Sequence, residues 1–285
     1  MELQKSNIKN MPNPKASLII SVYNNVRFLK KVLDSVNAQT FKNFEVIISE
    51  DAMHDGMKTF LENYPLEYSY QHLVQEDLGW RKNLALNRAI LTAKSDYLIF
   101  IDGDCVLHPQ FVEKHIFYSK ENRVLAGRRV MLNEKLTNMI LDERMSPTDI
   151  EKYLLSHIFS LNKEGISFPE EGFFINPKKV WGFIPYLRSV KSITGCNMSF
   201  SKKTIMSING FDEDYKLPAI GEDADITWRF KESGYKLFSV RNYAVQYHLN
   251  HKKNWAEQNI NLRIMEDKMK KNQIRCLNGI EKIHE

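Results

Sequence analysis

The sequence has little of what the specialised protein classes need. Its three cysteines, Cys105, Cys196 and Cys276, lie far apart, so they predict neither a disulfide framework nor a zinc knuckle. Twelve glycines and nine prolines in 285 residues are too few for a collagen-like or linker-rich chain. The longest apolar runs, at 18–22 and 97–101, fall far short of the roughly 20 residues that span a bilayer. The composition therefore predicts an ordinary globular protein.

An export signal and a strong charge bias are also missing. Residues 1–15 are polar and have no apolar core of a signal peptide, so we expect a cytoplasmic location. The net charge is only +5, but residues 252–275 hold seven Lys or Arg against three Asp or Glu. We expect a solvated helix face there, with peripheral contact at the inner membrane surface as the alternative, and we expect no nucleic-acid partner.

The first half of the chain alternates short β-branched runs with helical patterns. This alternation is typical of βαβ units and predicts an α/β fold with a mostly parallel sheet. The predicted strands are 16–22, 44–49, 68–74, 97–101 and 124–130, and the predicted helices are 26–39, 57–64, 81–94 and 109–119.

The second half is less regular. Residues 132–192 mix helical stretches, such as 150–161, with loop signals, and we interpret them as an insertion. The pattern beyond them predicts strands at 192–200, 236–240 and 244–247 and helices at 202–208, 223–231 and 255–274. We therefore predict one domain over 1–251, with halves at 16–131 and 193–251, followed by a basic helical extension over 252–285.

Polar side chains follow three of the predicted strands, at the point where each strand ends. They are Tyr23 and Asn24, Glu50 and Asp51, and Asp102 and Asp104. Ligands of open α/β sheets bind just beyond the carboxyl ends of the strands, so we expect these side chains to meet in one site. Two aspartates two residues apart can point at a common ion, and carboxylates suit Mg²⁺ or Mn²⁺. A surface turn closed by Asp side chains is the alternative.

Two later groups could also carry chemistry. Glu222, Asp223 and Asp225 precede a predicted helix, where capping and the helix dipole already favour acids. A functional interpretation makes one of them a general base. His248 and His251 follow the last predicted strand, and an imidazole there is either structural or completes a metal site.

Six segments occur in the order in which family-2 glycosyltransferases of the GT-A fold carry similar ones. They are SVYNN at 21–25, ISEDAMHDG at 48–56, DLGWRKNLALNRAI at 77–90, YLIFIDGDC at 97–105, TGCNMSFSKKTIMSINGFDEDY at 194–215 and GEDADITWR at 221–229. The chain resembles the bacterial chondroitin-polymerase type, with a galactosyltransferase-like carboxyl-terminal motif. The resemblance spans residues 16–251, except for 132–192. It implies a Rossmann-like, mostly parallel sheet flanked by helices, with a helical insertion and a C-terminal helix.

The resemblance also implies a nucleotide site in the first half of the domain. The residues that would contact the nucleotide are Ser21, Tyr23, Asn24, Asp51, Arg81 and Asp102. At 50–53, Glu-Asp-Ala-Met departs from the family's Asp-Asp-Gly-Ser pattern.

Metal and sugar contacts are implied in the same way. The metal, Mn²⁺ or Mg²⁺, would be held by Asp104, Asp102 and His248, with His251 as the rival of His248. Asp223 would be the catalytic base, and Glu222 would orient the acceptor. The residues near the donor or acceptor sugar would be Gly195, Asn197 and Arg128, although Arg128 can also be read as an exposed surface arginine.

The implied reaction is an inverting, metal-dependent transfer of a sugar from a UDP-sugar. The acceptor would be a glycan or a lipid-linked saccharide in bacterial surface polysaccharide synthesis. A metal would neutralise the leaving diphosphate while an aspartate takes the acceptor proton.

Three alternatives differ in class. One is a haloacid-dehalogenase-like phosphatase with Asp102 as the nucleophile, but that motif normally lies on the first strand of its domain. A nucleotidyltransferase would need a glycine-rich phosphate loop after the first strand, where this chain has Tyr23. A non-catalytic sugar-binding module would not need an acid pair, a base and a histidine together.

Overall fold

A computed structural model describes residues 4–5, 13–218, 220–252 and 257–283. The strands in these residues are β1 Gln4–Lys5, β2 Ala16–Val22, β3 Phe44–Glu50, β4 Tyr70–Val74, β5 Tyr97–Asp102, β6 Cys105–Leu107, β7 Arg123–Ala126, β8 Val130–Met131, β9 Met198–Ser201, β10 Lys236–Ser239 and β11 Gln246–His248. The α-helices are α1 Val26–Asn37, α2 Asp55–Asn63, α3 Lys82–Thr92, α4 Phe111–Tyr118, α5 Glu134–Leu141, α6 Pro147–Ser156, α7 Lys202–Ser207, α8 Asp225–Glu232 and α9 Asn259–Lys270.

Eight of the strands form the main sheet, in the order β1-β4-β3-β2-β5-β9-β7-β10. Strands β2 to β5 pair in parallel, as do β7 and β10, whereas β9 runs antiparallel to both β5 and β7. The mostly parallel sheet expected from the sequence is therefore present. Its parallel strands end at one edge, which brings their carboxyl-terminal residues together.

Helices cover both faces of the main sheet. Along β2, Leu18 and Ile20 pack into one core with α1, α2 and α4, while Ile19 packs into a second core with α3, α7 and α8. Strands buried on both faces read as continuous apolar runs, and this is why β2, β3 and β5 stand out in the sequence. The capping residue Asn25 fixes the start of α1, since its side chain accepts a hydrogen bond from Phe28 N at 3.0 Å.

A second sheet of three strands, in the order β6-β11-β8, stands beside the first. Its apolar side chains pack with α5 and α6 in a third core. These two helices lie in the segment interpreted as an insertion, which also contains 3₁₀ turns at Pro169–Glu171 and Val180–Leu187. The helix predicted at 150–161 runs instead over Pro147–Ser156, because Ser146 and Asp149 form a capping box at its start.

The strand predicted at 124–130 is two strands, β7 and β8, that belong to different sheets. Gly127 lies between them and donates its N–H to the Asn197 carbonyl at 2.8 Å. A Cβ at this glycine would lie 2.3 Å from the Asn197 side chain. This close approach lets the chain cross from one sheet to the other, and periodicity within the run could not reveal it. The strand predicted at 192–200 is likewise reduced to β9.

The charged C-terminal helix is shorter than predicted, and it packs differently. It is described as α9, and the start predicted at residue 255 lies outside the described residues. The spacing of Leu262, Met265 and Met269 predicts one side of the helix that faces the domain or a lipid surface. The buried side chains of the helix are instead Asn261 and Lys268, whereas Leu262 and Met269 are exposed and do not pack on the domain. Lys268 is paired with Asp212 and with Asp214, the latter at 2.6 Å. A buried ion pair therefore holds this helix.

Among the described residues, none of the helices has the length and apolar character that crossing a membrane requires.

Replacing Lys268 tests how the C-terminal helix is held. Lys268→Met leaves the fully buried Asp212 carboxylate without its cation. We expect a loss of about 3–5 kcal/mol in the free energy of unfolding, measured by urea denaturation. The control Lys270→Met removes an exposed lysine of the same helix, 3.9 Å from exposed Asp267, and should change stability by no more than about 1 kcal/mol. Equal effects of the two variants would contradict this view of the packing.

Candidate active site

The carboxyl ends of β2, β3 and β5 open onto a cleft of about 710 Å³. This is the edge at which parallel α/β sheets bind ligands. The predicted site residues that line the cleft are Ser21, Tyr23, Asn24, Asp51, Asp102 and Asp104, together with His251, the rival metal ligand. Lys82, which the sequence analysis did not select, lines it as well.

Asp51 is held firmly at the end of β3. Its carboxylate accepts hydrogen bonds from Gln75 Nε2 at 2.5 Å and from the Arg81 backbone N–H at 2.8 Å. Burial nevertheless raises the pKa of Asp51 above its usual value. The Tyr23 hydroxyl, which also lines the cleft, donates to Asp77 at 2.7 Å. The expected nucleotide pocket is thus built from side chains with fixed partners.

Arg81 does not place its guanidinium in this cleft. Its side chain donates instead to the backbone carbonyl of Glu76, and only its main chain contacts Asp51. The neighbouring side chains of Trp80 and Lys82 line the cleft in its place. The predicted nucleotide contact through the Arg81 side chain therefore has no support in this geometry.

Asp102 lies between two cations. Lys82 Nζ is 2.8 Å from one carboxylate oxygen, and Arg129 Nη1 is 3.3 Å from the other. Lys82 Nζ also lies 2.9 Å from Glu222 Oε2. Lys82 therefore joins the end of β5 to the acidic segment that begins at residue 221. Both oxygens of Asp102 therefore face basic side chains.

Asp104 faces two histidines rather than one. Its Oδ2 is 3.3 Å from His248 Nε2 and 3.1 Å from His251 Nε2. Backbone bonds set this arrangement, because Cys105 is the register partner of His248 between β6 and β11, and Leu249 N donates to Asp104 O at 2.9 Å. The sequence left His248 and His251 as rivals, and the structure places both at the same carboxylate.

The chemistry of this group fits a divalent cation. The ligand atoms of Asp104, His248 and His251 lie within 4.8 Å of one another. The Nδ1 atom of His248 is buried and has no hydrogen-bond partner among the described residues. Asp102 forms a second such group with Cys105 and Cys196, but burial raises the pKa of Cys105 well above its usual value. A protonated thiol is a poor ligand, so the histidine group is the better candidate.

Glu222 and Asp223 lie in a π-helical turn, Ile220–Ala224, directly before α8. Asp223 Oδ1 accepts a hydrogen bond from Gly195 N at 2.6 Å. A Cβ at position 195 would lie 2.8 Å from that oxygen, so the close approach requires glycine. Desolvation and the neighbouring Glu222 charge raise the pKa of Asp223 to about 7. A carboxylate with this pKa is suited to accept a proton near neutral pH.

The third acid of this segment has a different role. Asp225 is fully buried and pairs with the equally buried Arg229 at 2.7 Å. It also accepts a hydrogen bond from the Tyr215 hydroxyl at 3.0 Å. Arg229 Nη1 donates to the Ile208 and Gly210 carbonyls at 3.0 and 2.8 Å. Asp225 is therefore an anchor of α8 through its pair with Arg229 rather than a helix cap, and it has no access to a substrate.

Asn197 and Arg128, which were predicted to contact a sugar, instead form hydrogen bonds within the protein. Asn197 is fully buried, and its side chain donates to the Arg128 and Ala244 carbonyls at 2.8 and 3.0 Å. Direct contact with a sugar would require these bonds to break. The Arg128 guanidinium donates to Thr194 Oγ1 at 2.8 Å and to Ser192 O at 3.1 Å. It thus fixes the chain that leads into Gly195 rather than facing the cleft.

Lys82 is the functional candidate that the sequence analysis left without a role, because it occurs there only within a family-like segment. Arg129 follows the fifth predicted strand beside Arg128, where the sequence predicts either a contact with a diphosphate or an anionic acceptor or an exposed surface arginine. An ion pair between residues one helical turn apart can be recognised in the sequence. The pair of Lys82 with Asp102 cannot, because the two residues lie 20 positions apart. Asp102, the common partner of Lys82 and Arg129, becomes evident only when the sheet is assembled.

Two family models match the chain. The model for glycosyl transferase family 2 matches residues 17–183, and a model described as the N-terminal domain of galactosyltransferase matches residues 183–252. The first match alone covers more than half of the chain. The protein therefore belongs to glycosyl transferase family 2, and the predicted family is confirmed.

Proteins that are similar in sequence to this chain are also glycosyltransferases. Glycosyltransferase AglE of Haloferax volcanii is 28% identical over 153 residues, which are 49% of this chain and 50% of AglE. An uncharacterized glycosyltransferase of Rickettsia felis is 25% identical over 220 residues, 75% of this chain and 31% of that protein. The matched region thus spans half or less of the length of each relative.

Solved structures show the same fold. The mannosyltransferase PcManGT from Pyrobaculum calidifontis, in complex with GDP-Man and Mn²⁺, has a TM-score of 0.53 and 15% identity over 91% of this chain and 63% of its own. S. aureus TarS 1–349, in complex with UDP-GlcNAc, has a TM-score of 0.53 and 17% identity over 84% of this chain and 60% of its own. Both are GT-A glycosyltransferases, and the predicted GT-A fold is confirmed.

The contrast between Asp225 and Asp223 can be tested through stability. Asp225→Asn leaves the buried Arg229 guanidinium without a counter-charge, so we expect a loss of about 3–5 kcal/mol in the free energy of unfolding. Asp223→Asn changes a partly exposed side chain and should cost less than about 1 kcal/mol. Urea denaturation followed by circular dichroism measures both. An unchanged midpoint for Asp225→Asn would remove its role as anchor.

Proposed function

We propose that the protein transfers a sugar from a UDP-sugar to a glycan or lipid-linked saccharide, with inversion and with the help of a divalent metal. The observation that carries the proposal is the contact of Lys82 with both Asp102 and Glu222. This contact ties Asp102, two residues before the proposed metal ligand Asp104, to Glu222, the neighbour of the proposed base Asp223. The phosphatase alternative is disfavoured, because residues 17–183, which include Asp102, match the model for glycosyl transferase family 2.

The proposed metal ligands are Asp104, His248 and His251. When bound, the metal would neutralise the negative charge that develops on the departing diphosphate. Two imidazoles beside one carboxylate favour Mn²⁺ over Mg²⁺, since magnesium prefers oxygen ligands. Asp102 is proposed as a neighbour of the nucleotide, positioned by Lys82 and Arg129.

The proposed donor pocket lies between Tyr23 and Asp51. Ser21, Asn24 and Asp51 offer hydrogen-bonding groups at the strand ends, where a nucleotide would lie in this fold. The choice of uridine rests on the resemblance in sequence, and TarS, which shares the fold, has been solved with UDP-GlcNAc. The acceptor class and a role in surface polysaccharide synthesis rest on the resemblance alone.

Asp223 is the proposed general base. In the proposed step, the acceptor hydroxyl oxygen forms a bond to the anomeric carbon while the bond to the diphosphate breaks. The hydroxyl proton passes to Asp223, and the electron pair leaves with UDP. Attack from the face opposite the leaving group inverts the configuration. The Gly195 N–H holds one oxygen of Asp223 at 2.6 Å, and the other oxygen is available to the acceptor.

The metal assignment predicts graded losses of Mn²⁺ affinity in the UDP complex. Asp104→Ala should abolish metal-dependent UDP binding, because it removes a ligand and its charge together. His248→Ala and His251→Ala should each weaken Mn²⁺ binding by at least about 10-fold. Isothermal titration calorimetry with Mn²⁺ and UDP measures this, with exposed His54→Ala as the matched control. If either cleft histidine behaves like His54, it is not a ligand.

The base assignment predicts a loss of turnover without a loss of binding. Asp223→Asn cannot accept the proton, so we expect the rate of sugar transfer to fall by about 10²–10⁴-fold. UDP and Mn²⁺ affinities should stay near wild type. The raised pKa of Asp223, about 7, implies that wild-type kcat falls as the pH is lowered through that value, because the carboxylate becomes protonated. A wild-type profile without an acidic limb near pH 7 would contradict this role, as would loss of UDP affinity in the variant.

A further inference from the structure

Residues 178–191 form a surface segment in which several large apolar side chains are exposed to solvent. Within it, Val180 is 82% exposed, Trp181 65%, Tyr186 65% and Leu187 75%, and Phe183 is exposed too. Single exposed apolar side chains are normal, but a contiguous group of this kind marks an interaction site. We call residues 178–191 the aromatic segment.

The aromatic segment is fixed to the domain rather than loosely attached. Tyr243 donates its hydroxyl proton to the Gly182 carbonyl at 2.6 Å. Arg188 lies 3.0 Å from Glu171, and the ring of Tyr186 meets Phe238 edge-on at 5.4 Å. A Cβ at Gly182 would lie 2.4 Å from the Pro177 carbonyl oxygen. The backbone is thus held from several sides while the large apolar side chains point away from the core.

All charged side chains of the aromatic segment are basic. Lys178, Lys179 and Lys191 are exposed at its two ends. No Asp or Glu occurs in the sequence from residue 172 to residue 211. Of the two acids that contact the segment, buried Glu171 is paired with Arg188 and Arg241, and exposed Glu170 lies 3.9 Å from Arg188. The exposed apolar group is therefore flanked by positive charge.

This composition favours a lipid surface over a protein partner. Tryptophan and tyrosine prefer the boundary between lipid headgroups and acyl chains, and lysines beside them reach the anionic headgroups. Lysine, in contrast, is depleted at interfaces between proteins. Each basic residue near an anionic leaflet adds to the attraction, which salt screens.

The aromatic segment is also directly connected to the candidate site. It runs into Ser192 and Thr194, both held by Arg128, and then into Gly195, which contacts Asp223. We propose that residues 178–191 form a docking surface for an anionic lipid bilayer and insert their aromatic side chains at the headgroup level. That this surface would present a lipid-linked acceptor to Asp223 rests on the proposed function, whereas lipid binding itself does not.

Sedimentation with vesicles tests the proposal. The full chain is mixed with vesicles of phosphatidylglycerol and phosphatidylcholine, or of phosphatidylcholine alone, at low and high salt. We expect binding to the anionic vesicles that weakens with salt. Trp181→Ser/Phe183→Ser should reduce it at least 10-fold, and Lys178→Gln/Lys179→Gln should weaken it by about fivefold per lysine removed. Leu262→Ser/Met269→Ser, a matched change of exposed apolar residues on α9, should leave it unchanged.

Three outcomes would overturn the proposal. They are no sedimentation of the wild type with anionic vesicles, loss of binding in the α9 variant but not in the Trp181 variant, and a lipid-free dimer that only the Trp181 variant dissociates. The last result would make a second copy of the chain the partner. UDP-dependent thermal stabilisation, measured in parallel, should be equal in all variants. A failure of the donor site is therefore distinguishable from a failure of the docking surface.

Discussion

The charge balance of the candidate site centres on Lys82, whose ammonium group lies between two acids. Asp102 comes from the end of a parallel strand and Glu222 from a turn more than a hundred residues later, and one ammonium group contacts both within 3 Å. Like charges at this separation repel strongly where water is scarce. Arg129 supports the same carboxylate from the other side. Lys82 thus joins the end of β5 electrostatically to the turn that carries Glu222 and Asp223.

A second charge pair fixes the position from which the proposed base acts. Asp225 and Arg229 are both fully buried and bond to Tyr215 and to two backbone carbonyls. Since buried partners of this kind cannot shift without exposing an unpaired charge, α8 has a fixed starting point. Asp223 lies two residues before that point and is partly exposed. The same acidic segment therefore contains both the residue that anchors the helix, Asp225, and the proposed base, Asp223.

The sequence was sufficient for the features that local pattern determines. Strands β2, β3 and β5 each contain an uninterrupted apolar run because both of their faces are buried. Asp51, Asp102 and Asp104 lie in one cleft because parallel strands end at one edge. The local sequence pattern does not show which residues from distant parts of the chain contact one another. The split of 124–130 depends on Asn197, the choice among Glu222, Asp223 and Asp225 depends on Arg229 and Gly195, and the role of Lys82 depends on Asp102. Arg81 was favoured over Lys82 by a motif match, which identifies the segment but not the direction of each side chain.

The three proposed metal ligands are not equally constrained. Asp104 and His248 are tied to neighbouring strands by backbone hydrogen bonds, whereas His251 lies beyond the last strand and is 39% exposed. Ordering a side chain costs conformational entropy, and here most of that cost falls on one residue. Two rigid ligands would set where a cation sits, and the adjustable third would set how tightly it is held and how readily it leaves. Movement of the His251 side chain alone would then control exchange of the ion, and the strands of the sheet would not need to move.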